Sequence, residues 1–436
     1  MTTRRVHALI FTLCFMILSG VANAVIFNVA LLDMMKDLHV SNASISWIVV
    51  SYTLVLSCGA ITYSKLASYI QVKTLLMIGV SLFISGSIVG SLADSYLPVL
   101  LARMLQASGG ASFIALSMII ANRYMTVEKR NVTLTLIGGC LSIGTGVGFL
   151  IGSLLLQNFN WHALFYVMLL PIIALIALVF LAPAGFAQDQ KETAPFDVVG
   201  LLLTMLFIVP FIIGVKLYAS LLILVVLALF LLLSHGKRKR ENVFIDLTVF
   251  KNGGYSRFVL LGFFNNAALV GLIFMFPLLM LQVFHLSVIE TGLWLGAISA
   301  FAFLLSLVAQ KWPQLLTQSF SLLFVLCLHV LGFVLLALLG TTTLASALIG
   351  TTLIYSGYTL LTIITNIGVP TTLAPSKASM GLGVYTLTNF LGMAFGPSIA
   401  SRLLSGANPF IRSFYGFVGM VLVALVIGLW HRQKRL

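Results

Sequence analysis

The sequence predicts an all-α polytopic membrane protein of fourteen transmembrane helices, with both termini in the cytoplasm. Three observations carry that expectation. Hydrophobic residues make up 60% of the chain and charged residues only 8%, with a mean hydropathy of +1.13, a balance outside the range of soluble globular domains. The apolar residues come in runs of about twenty, the length that crosses a bilayer, with no two-residue alternation of the kind a membrane β-strand shows. Lys and Arg gather on alternate loops, as the positive-inside rule requires.

The runs place helices at roughly 7–31, 44–66, 73–92, 96–122, 133–156, 161–182, 197–215, 217–235, 257–283, 288–310, 317–340, 343–369, 379–403 and 408–430. Leu9–Leu31 is too long for the apolar core of a signal peptide and reads as a retained first helix. With an even helix count, nineteen Lys and Arg lie on the inner side, among them Lys65, Lys73, Arg123, Lys311 and Lys377. The net charge of +14 then reads as a basic inner rim against anionic lipid, with no nucleic acid partner. Trp161, Trp312 and Trp430 fall near the expected interfaces, where amphipathic rings prefer to lie.

Two polar stretches divide the chain, Ala184–Phe196 and Gly236–Tyr255, the second holding Lys237-Arg238-Lys239-Arg240. They give an N-terminal six-helix bundle over 1–182, two inserted helices with a basic loop over 183–256, and a C-terminal six-helix bundle with a basic tail over 257–436. Cys14, Cys58, Cys140 and Cys327 sit within apolar spans without paired spacing, so neither a disulfide framework nor a metal site is expected.

Within the spans, Arg103 stands out. A guanidinium at mid-membrane costs at least about 2.5 kcal/mol on insertion scales and keeps its charge. The next span carries Gly144, Gly148 and Gly152 at helical spacing, a face suited to close helix contact. Gly392 and Gly396 repeat that pattern late in the chain, a weak internal symmetry of the kind repeated transporter halves show.

Several segments together resemble the fourteen-helix drug:proton antiporter branch of the major facilitator superfamily, the group of the Gram-positive tetracycline and multidrug efflux proteins. The residues are Asn23 to Leu31 with Asn28-Val29-Ala30-Leu31; Trp47, Tyr52 and Leu54; and Arg103, Gln106, Gly109 and Gly110, with Ala107 in place of a glycine. Gly144 to Gly152, Trp161 with Phe165 and Pro171, Phe196-Asp197, and Gly381-Leu382-Gly383 with Asn389, Gly392 and Gly396 continue the match almost to the end of the chain. There are two departures. Ser68 stands where the loop between helices 2 and 3 normally carries an acid, beside Lys65 and Lys73, and Gln71 replaces a glycine. Phe149 stands where the helix 5 pattern has its proline. The missing acid implies a weakened cytoplasmic gate, and the missing proline weakens the antiporter resemblance in particular.

What the resemblance implies is a multi-pass carrier in a bacterial plasma membrane, exporting drug-like or amphipathic small molecules by alternating access. Arg103, Gln106, Asn23, Asn28, Tyr52, His329 and Asn389 are the candidate substrate and coupling residues. All ten acids map to loops or helix ends, with Asp33, Asp197 and Glu290 nearest the spans. Protons therefore use one of those, or His329, or play no part. Arg103 either supports proton transfer, or binds an anionic substrate, or hydrogen-bonds carbonyls of a neighbouring helix. Asn265, Asn266, Tyr355, Tyr358, Asn366 and Asn389 are candidate cavity lining. No nucleophile constellation or phosphate-cradling loop appears, so an enzyme, a cofactor and self-contained ATP-driven pumping are not expected. The alternatives are a transport-deficient sensor on the same scaffold and a carrier of an anionic metabolite or lipid. The oligomeric state is open.

Overall fold

The computed structural model describes residues 3–181, 196–216, 219–239, 243–309, 311, 319–404 and 408–430. Most of the first polar stretch, together with Arg240, Gln310, Trp312, Pro313 and the side chain of Trp430, lies outside the described residues. Every described element is helical. The helices are α1 (Thr3–Ile26), α2 (Leu31–Asp37), α3 (Asn42–Leu66), α4 (Val72–Ser91), α5 (Tyr96–Tyr124), α6 (Val127–Asn158), α7 (His162–Val167) and α8 (Ile172–Leu181). They continue with α9 (Val198–Lys216), α10 (Leu222–Lys239), α11 (Gly253–Gln282), α12 (Val288–Ala309), α13 (Ser319–Leu339), α14 (Leu344–Thr371), α15 (Pro375–Leu403) and α16 (Pro409–Trp430).

Twelve helices among the described residues are long and apolar enough to cross a membrane, against the fourteen expected. The two that fall short do so for different reasons. The 18 residues of α10 end in Lys237-Arg238-Lys239, so a span-length window must include three cations. The 29 residues of α15 include Thr386, Thr388, Asn389 and Ser398, because this helix is enclosed by protein and need not be apolar all round.

Two predicted helices are broken. The first ends at Ile26, turns through a 3-10 segment (Phe27–Val29) and restarts as α2. The sixth is interrupted between α7 and α8, where Leu169, Leu170, Ile172 and Ile173 take three-residue hydrogen bonds and Pro171 has no N–H to give. Trp161, at the start of the sixth span, is 2% exposed. Its indole N–H donates to Asp37 at 3.0 Å and its ring stacks on His162.

The glycine faces set the packing. Gly144, Gly148 and Gly152 lie on Val21, Ala22 and Val29 of the first helical span, so α6 packs on α1. Gly392 and Gly396 lie on the Phe263 and Ala267 carbonyls, so α15 packs on α11 in the same way. A different face of α6 meets the C-terminal helices. There Gly139 lies on Ser306 and Phe303, Gly146 on Ser299 and the Leu295 carbonyl, and Leu150 on Gly296. On the opposite side α3 meets α15, with Gly383 against Ser64 and Ile61. The close helix contact expected at Gly144, Gly148 and Gly152 is made with α1. They fix α6 to α1, and Gly139 and Gly146 form the seam.

Cβ contacts make this testable. A Cβ at Gly148 would stand 2.6 Å from the Ala22 carbonyl oxygen, backbone that cannot swing away. Gly148→Ala is expected to cost about 1–3 kcal/mol, read as a lowered melting temperature in detergent. Gly419→Ala, where a Cβ meets nothing within 4 Å, should leave the melting temperature within error of wild type.

Candidate functional site

Two polar centres and one cluster at the basic end carry the chemistry-bearing residues. The first centre is built on α5. Arg103 and Gln106 are three residues apart and therefore share a face of the helix; both are fully buried. Arg103 Nη1 donates to Gln106 Oε1 at 2.8 Å and to Asn23 Oδ1 at 3.0 Å, and Nη2 donates to the Asn23 carbonyl at 3.2 Å. Phe27, one turn beyond Asn23, and Tyr52 of α3 sandwich the guanidinium, each ring centroid 4.1 Å from its central carbon. Such desolvated cation–π contacts are worth about 2 kcal/mol. The Gln106 amide N–H donates to Ser87 Oγ at 2.8 Å, and Ser87 Oγ donates to carbonyls of Phe83 and Met168. Tyr52 O–H donates to the Gly20 carbonyl at 3.2 Å.

The charge is therefore tolerated by the third of the expected routes, a neighbouring helix carbonyl, joined by two amides and two aromatic faces. The structure brings Arg103, Gln106, Asn23 and Tyr52 together. Asn28 is not among them; it is exposed in the 3-10 turn after α1. Ser87 and Phe27 complete the arrangement, and only Phe27 stood within a motif segment.

The second centre lies among α11, α14 and α15. Asn265 Nδ2 donates to the Tyr358 carbonyl at 3.1 Å and to Thr362 Oγ1 at 3.0 Å. Tyr358 O–H donates to Asn266 Oδ1 at 3.3 Å, and Tyr385 O–H donates to Asn366 Oδ1 at 3.1 Å and hydrogen-bonds Thr365 at 2.7 Å. Gly262 brings the α11 backbone against Asn389 and the Tyr385 ring. On its other side α14 reaches α6: Tyr355 hydrogen-bonds Thr145 at 3.2 Å and Thr359 pairs with Ser142. The structure thus joins the candidate lining residues and adds Tyr385, Thr362 and Thr365. His329 is apart from both centres, 1% exposed, with Nδ1 3.2 Å from the Val325 carbonyl and its ring against Gly357.

At the basic end, Lys65 is buried with its ammonium 5.6 Å from the Tyr69 ring centroid, and Lys73 donates to the Val179 carbonyl at 3.1 Å. Ser68 is half-buried in the turn between α3 and α4. The connection across this end is made by Arg123, which sequence reasoning missed. Its Nε donates to Ser379 Oγ on α15 at 2.8 Å and its Nη1 to the Ala67 carbonyl at 3.1 Å. Arg123 thus links α5 both to α15 and to the turn between α3 and α4 that holds Ser68. Asp246 adds a second tie, accepting from Lys377 at 2.6 Å. Partial burial raises the Asp246 carboxyl, but hydrogen bonds from Lys377 and Thr248 outweigh it and hold the group below the usual carboxylate range.

Comparison with known proteins follows from this geometry. The family description Major Facilitator Superfamily matches residues 11–397. The uncharacterized MFS-type transporter YvkA of Bacillus subtilis is 30% identical over 312 residues, 69% of this chain and 68% of that protein. The riboflavin transporter RibZ of Clostridioides difficile is 25% identical over 64% of this chain and 62% of its own length. The multidrug resistance protein Stp of Mycobacterium tuberculosis is 28% identical over 88% of this chain and 73% of its own length. The crystal structure of the human organic anion transporter MFSD10 covers 98% of this chain and 100% of its own, with a TM-score of 0.71 at 14% identity, a likeness of fold.

Two measurements check the geometry. Arg103→Ala leaves the Asn23 and Gln106 oxygens buried without a donor and is expected to destabilise the protein by about 3 kcal/mol, seen as a lower melting temperature, with Arg103→Lys recovering only part of it. Because the folded Asp246 carboxyl is depressed, its stabilisation is full above the ordinary carboxylate pKa of about 4 and is lost as pH falls through the folded value. The melting-temperature gap between wild type and Asp246→Asn should therefore be constant near neutrality and close in acid.

Proposed function

Because this chain belongs to the Major Facilitator Superfamily, we propose that it is a secondary transporter exporting uncharged or weakly charged amphipathic molecules by alternating access. Its basic end, bearing Lys65, Lys73, Arg123 and Lys377, faces the cytoplasm of a bacterial cell and rests against anionic lipid. Fourteen spans cross the membrane in a six, two and six arrangement, both termini inside. Support for counting α10 comes from its exposed apolar face, Ile223, Val226, Phe230 and Leu233, which water would not favour and lipid tails would.

The observation that carries the transport reading is the small-residue seam between α6 and α12. Gly139, Gly146, Gly292 and Gly296 meet Ser306, Ser299, Ser153 and Leu150 there, a surface of mainly small side chains across which two helix groups can shift. Arg103 acts as the fixed centre of the N-terminal group, holding α1, α3 and α4 to α5. Coupling falls to a gradient across the membrane; proton coupling would rest on His329 or on an acid at a helix end.

Reconstituted vesicles test the reading. A panel of amphipathic dyes is loaded, and efflux is followed with and without an imposed pH gradient. Wild-type protein should accelerate at least one dye over protein-free vesicles, and Gly146→Leu, which wedges the seam, should reduce that flux at least tenfold. Stimulation by the pH gradient that persists in His329→Phe places coupling at a helix-end acid; its loss places coupling at His329. No flux for any dye from folded protein would sink the proposal.

A further inference from the structure

The second polar centre contains unused hydrogen-bonding capacity. Asn265 and Asn366 are 3% and 1% exposed, yet Asn265 Oδ1 and Asn366 Nδ2 have no partner, and neither does Asn389 Oδ1. A buried amide atom left without a partner costs about 1–3 kcal/mol. Three within one connected cluster are more than packing alone explains.

The orientation of Asn265 is fixed by its contacts. Its Nδ2 donates to the Tyr358 carbonyl, an acceptor only, so Oδ1 must be the free atom and must await a donor. Asn389 is half-buried, and its free oxygen lies beside Gly262 and the Tyr385 ring. Asn366 accepts from Tyr385 through Oδ1, and its free Nδ2 is a donor. The rest of the lining is phenolic or hydroxylic: Tyr358, Tyr385, Thr362 and Thr365. No Asp, Glu, Lys, Arg or His belongs to this cluster. Arg103 belongs to the first centre, bonded to Asn23 and Gln106, and His329 lies apart from both centres with Nδ1 against the Val325 carbonyl. An ion entering here would lose its hydration with no opposite charge to meet it.

Resting on the transport reading above, we propose that Asn265, Asn366 and Asn389 form the substrate-recognition subsite, and that it takes a neutral, flat aromatic molecule carrying an N–H beside a C=O, as in a lactam or imide edge. The ligand N–H donates to Asn265 Oδ1 and Asn389 Oδ1 as a forked pair, and its carbonyl accepts from Asn366 Nδ2. The Tyr358 and Tyr385 rings supply apolar surface for the aromatic part. The substrate is selected by hydrogen-bond pattern and by absence of charge.

A matched probe series tests this by calorimetric titration of purified protein in nanodiscs, where no transport is needed. The probes are phenanthridinone, its N-methyl derivative, a phenanthridine carboxylate and the N-methylphenanthridinium cation. Phenanthridinone should bind at least tenfold more tightly than each of the other three. Asn265→Leu and Asn389→Leu should each weaken it about tenfold, the effect of one lost neutral hydrogen bond, while leaving the N-methyl derivative unchanged. Melting temperatures separate loss of the subsite from loss of the fold, and the half-buried Asn389 carries the test should Asn265→Leu not fold. Equal or tighter binding of the carboxylate or the cation overturns the proposal, as does unchanged phenanthridinone binding in folded Asn389→Leu. If the binding pattern holds while vesicle efflux fails, the subsite stands and the transport reading falls. Efflux of other dyes with no phenanthridinone binding is the reverse.

Discussion

A permanent charge inside the membrane region has to be neutralised by dipoles, and meeting that requirement at Arg103 organises the first half of the molecule. The guanidinium is satisfied only if α1 brings Asn23 and Phe27, α3 brings Tyr52 and α5 brings Gln106 to one point. Gln106 then engages Ser87 of α4, and Ser87 reaches the Met168 carbonyl in the break between α7 and α8. One buried cation thus specifies the mutual placement of most of the N-terminal helices. Apolar packing in lipid specifies such placement poorly, since lipid tails solvate leucine as well as another helix does.

The C-terminal helices solve a related problem without charge. Their interior polar groups are amides, phenols and hydroxyls, tied through Asn265, Tyr358, Asn366 and Tyr385. The two halves share a glycine logic, α6 on α1 and α15 on α11, yet differ in what they enclose. The N-terminal half holds a cation tied to amides and aromatic faces, and the C-terminal half holds an uncharged cluster of amides, phenols and hydroxyls. At the basic end Arg123 reaches from the N-terminal half to Ser379.

Much of this was legible in the residues themselves. Run length located the helices, the i and i+3 spacing of Arg103 and Gln106 put them on one face, and the family resemblance marked Asn23 and Tyr52 as residues of note without saying that they meet Arg103. Gly144, Gly148 and Gly152 announced a close contact. Periodicity says which face is small but not which helix covers it, so the α1 partner and the separate seam at Gly139 and Gly146 were out of reach. Ser87, Ser379 and Tyr385 are ordinary residues made special by long-range neighbours. The break at Pro171 was foreseeable from its missing N–H. Run length placed a helix at 379–403, where α15 lies, although α15 carries several polar residues, as a helix enclosed by protein is free to do.

The seam between α6 and α12 has a mechanical consequence. Ser299 and Ser306 press against Gly146 and Gly139, but their hydroxyls donate back to the Gly296 and Phe303 carbonyls of their own helix. Their protons are spent before the two surfaces meet, so relative displacement there breaks none of these bonds and encounters little friction. On the neighbouring side of α6, Ser142 and Thr145 bond outward to Thr359 and Tyr355. The same helix is therefore a bearing along one edge and a detent along the other. If the two helix groups shift as proposed, those two hydroxyl pairs are the bonds that have to break.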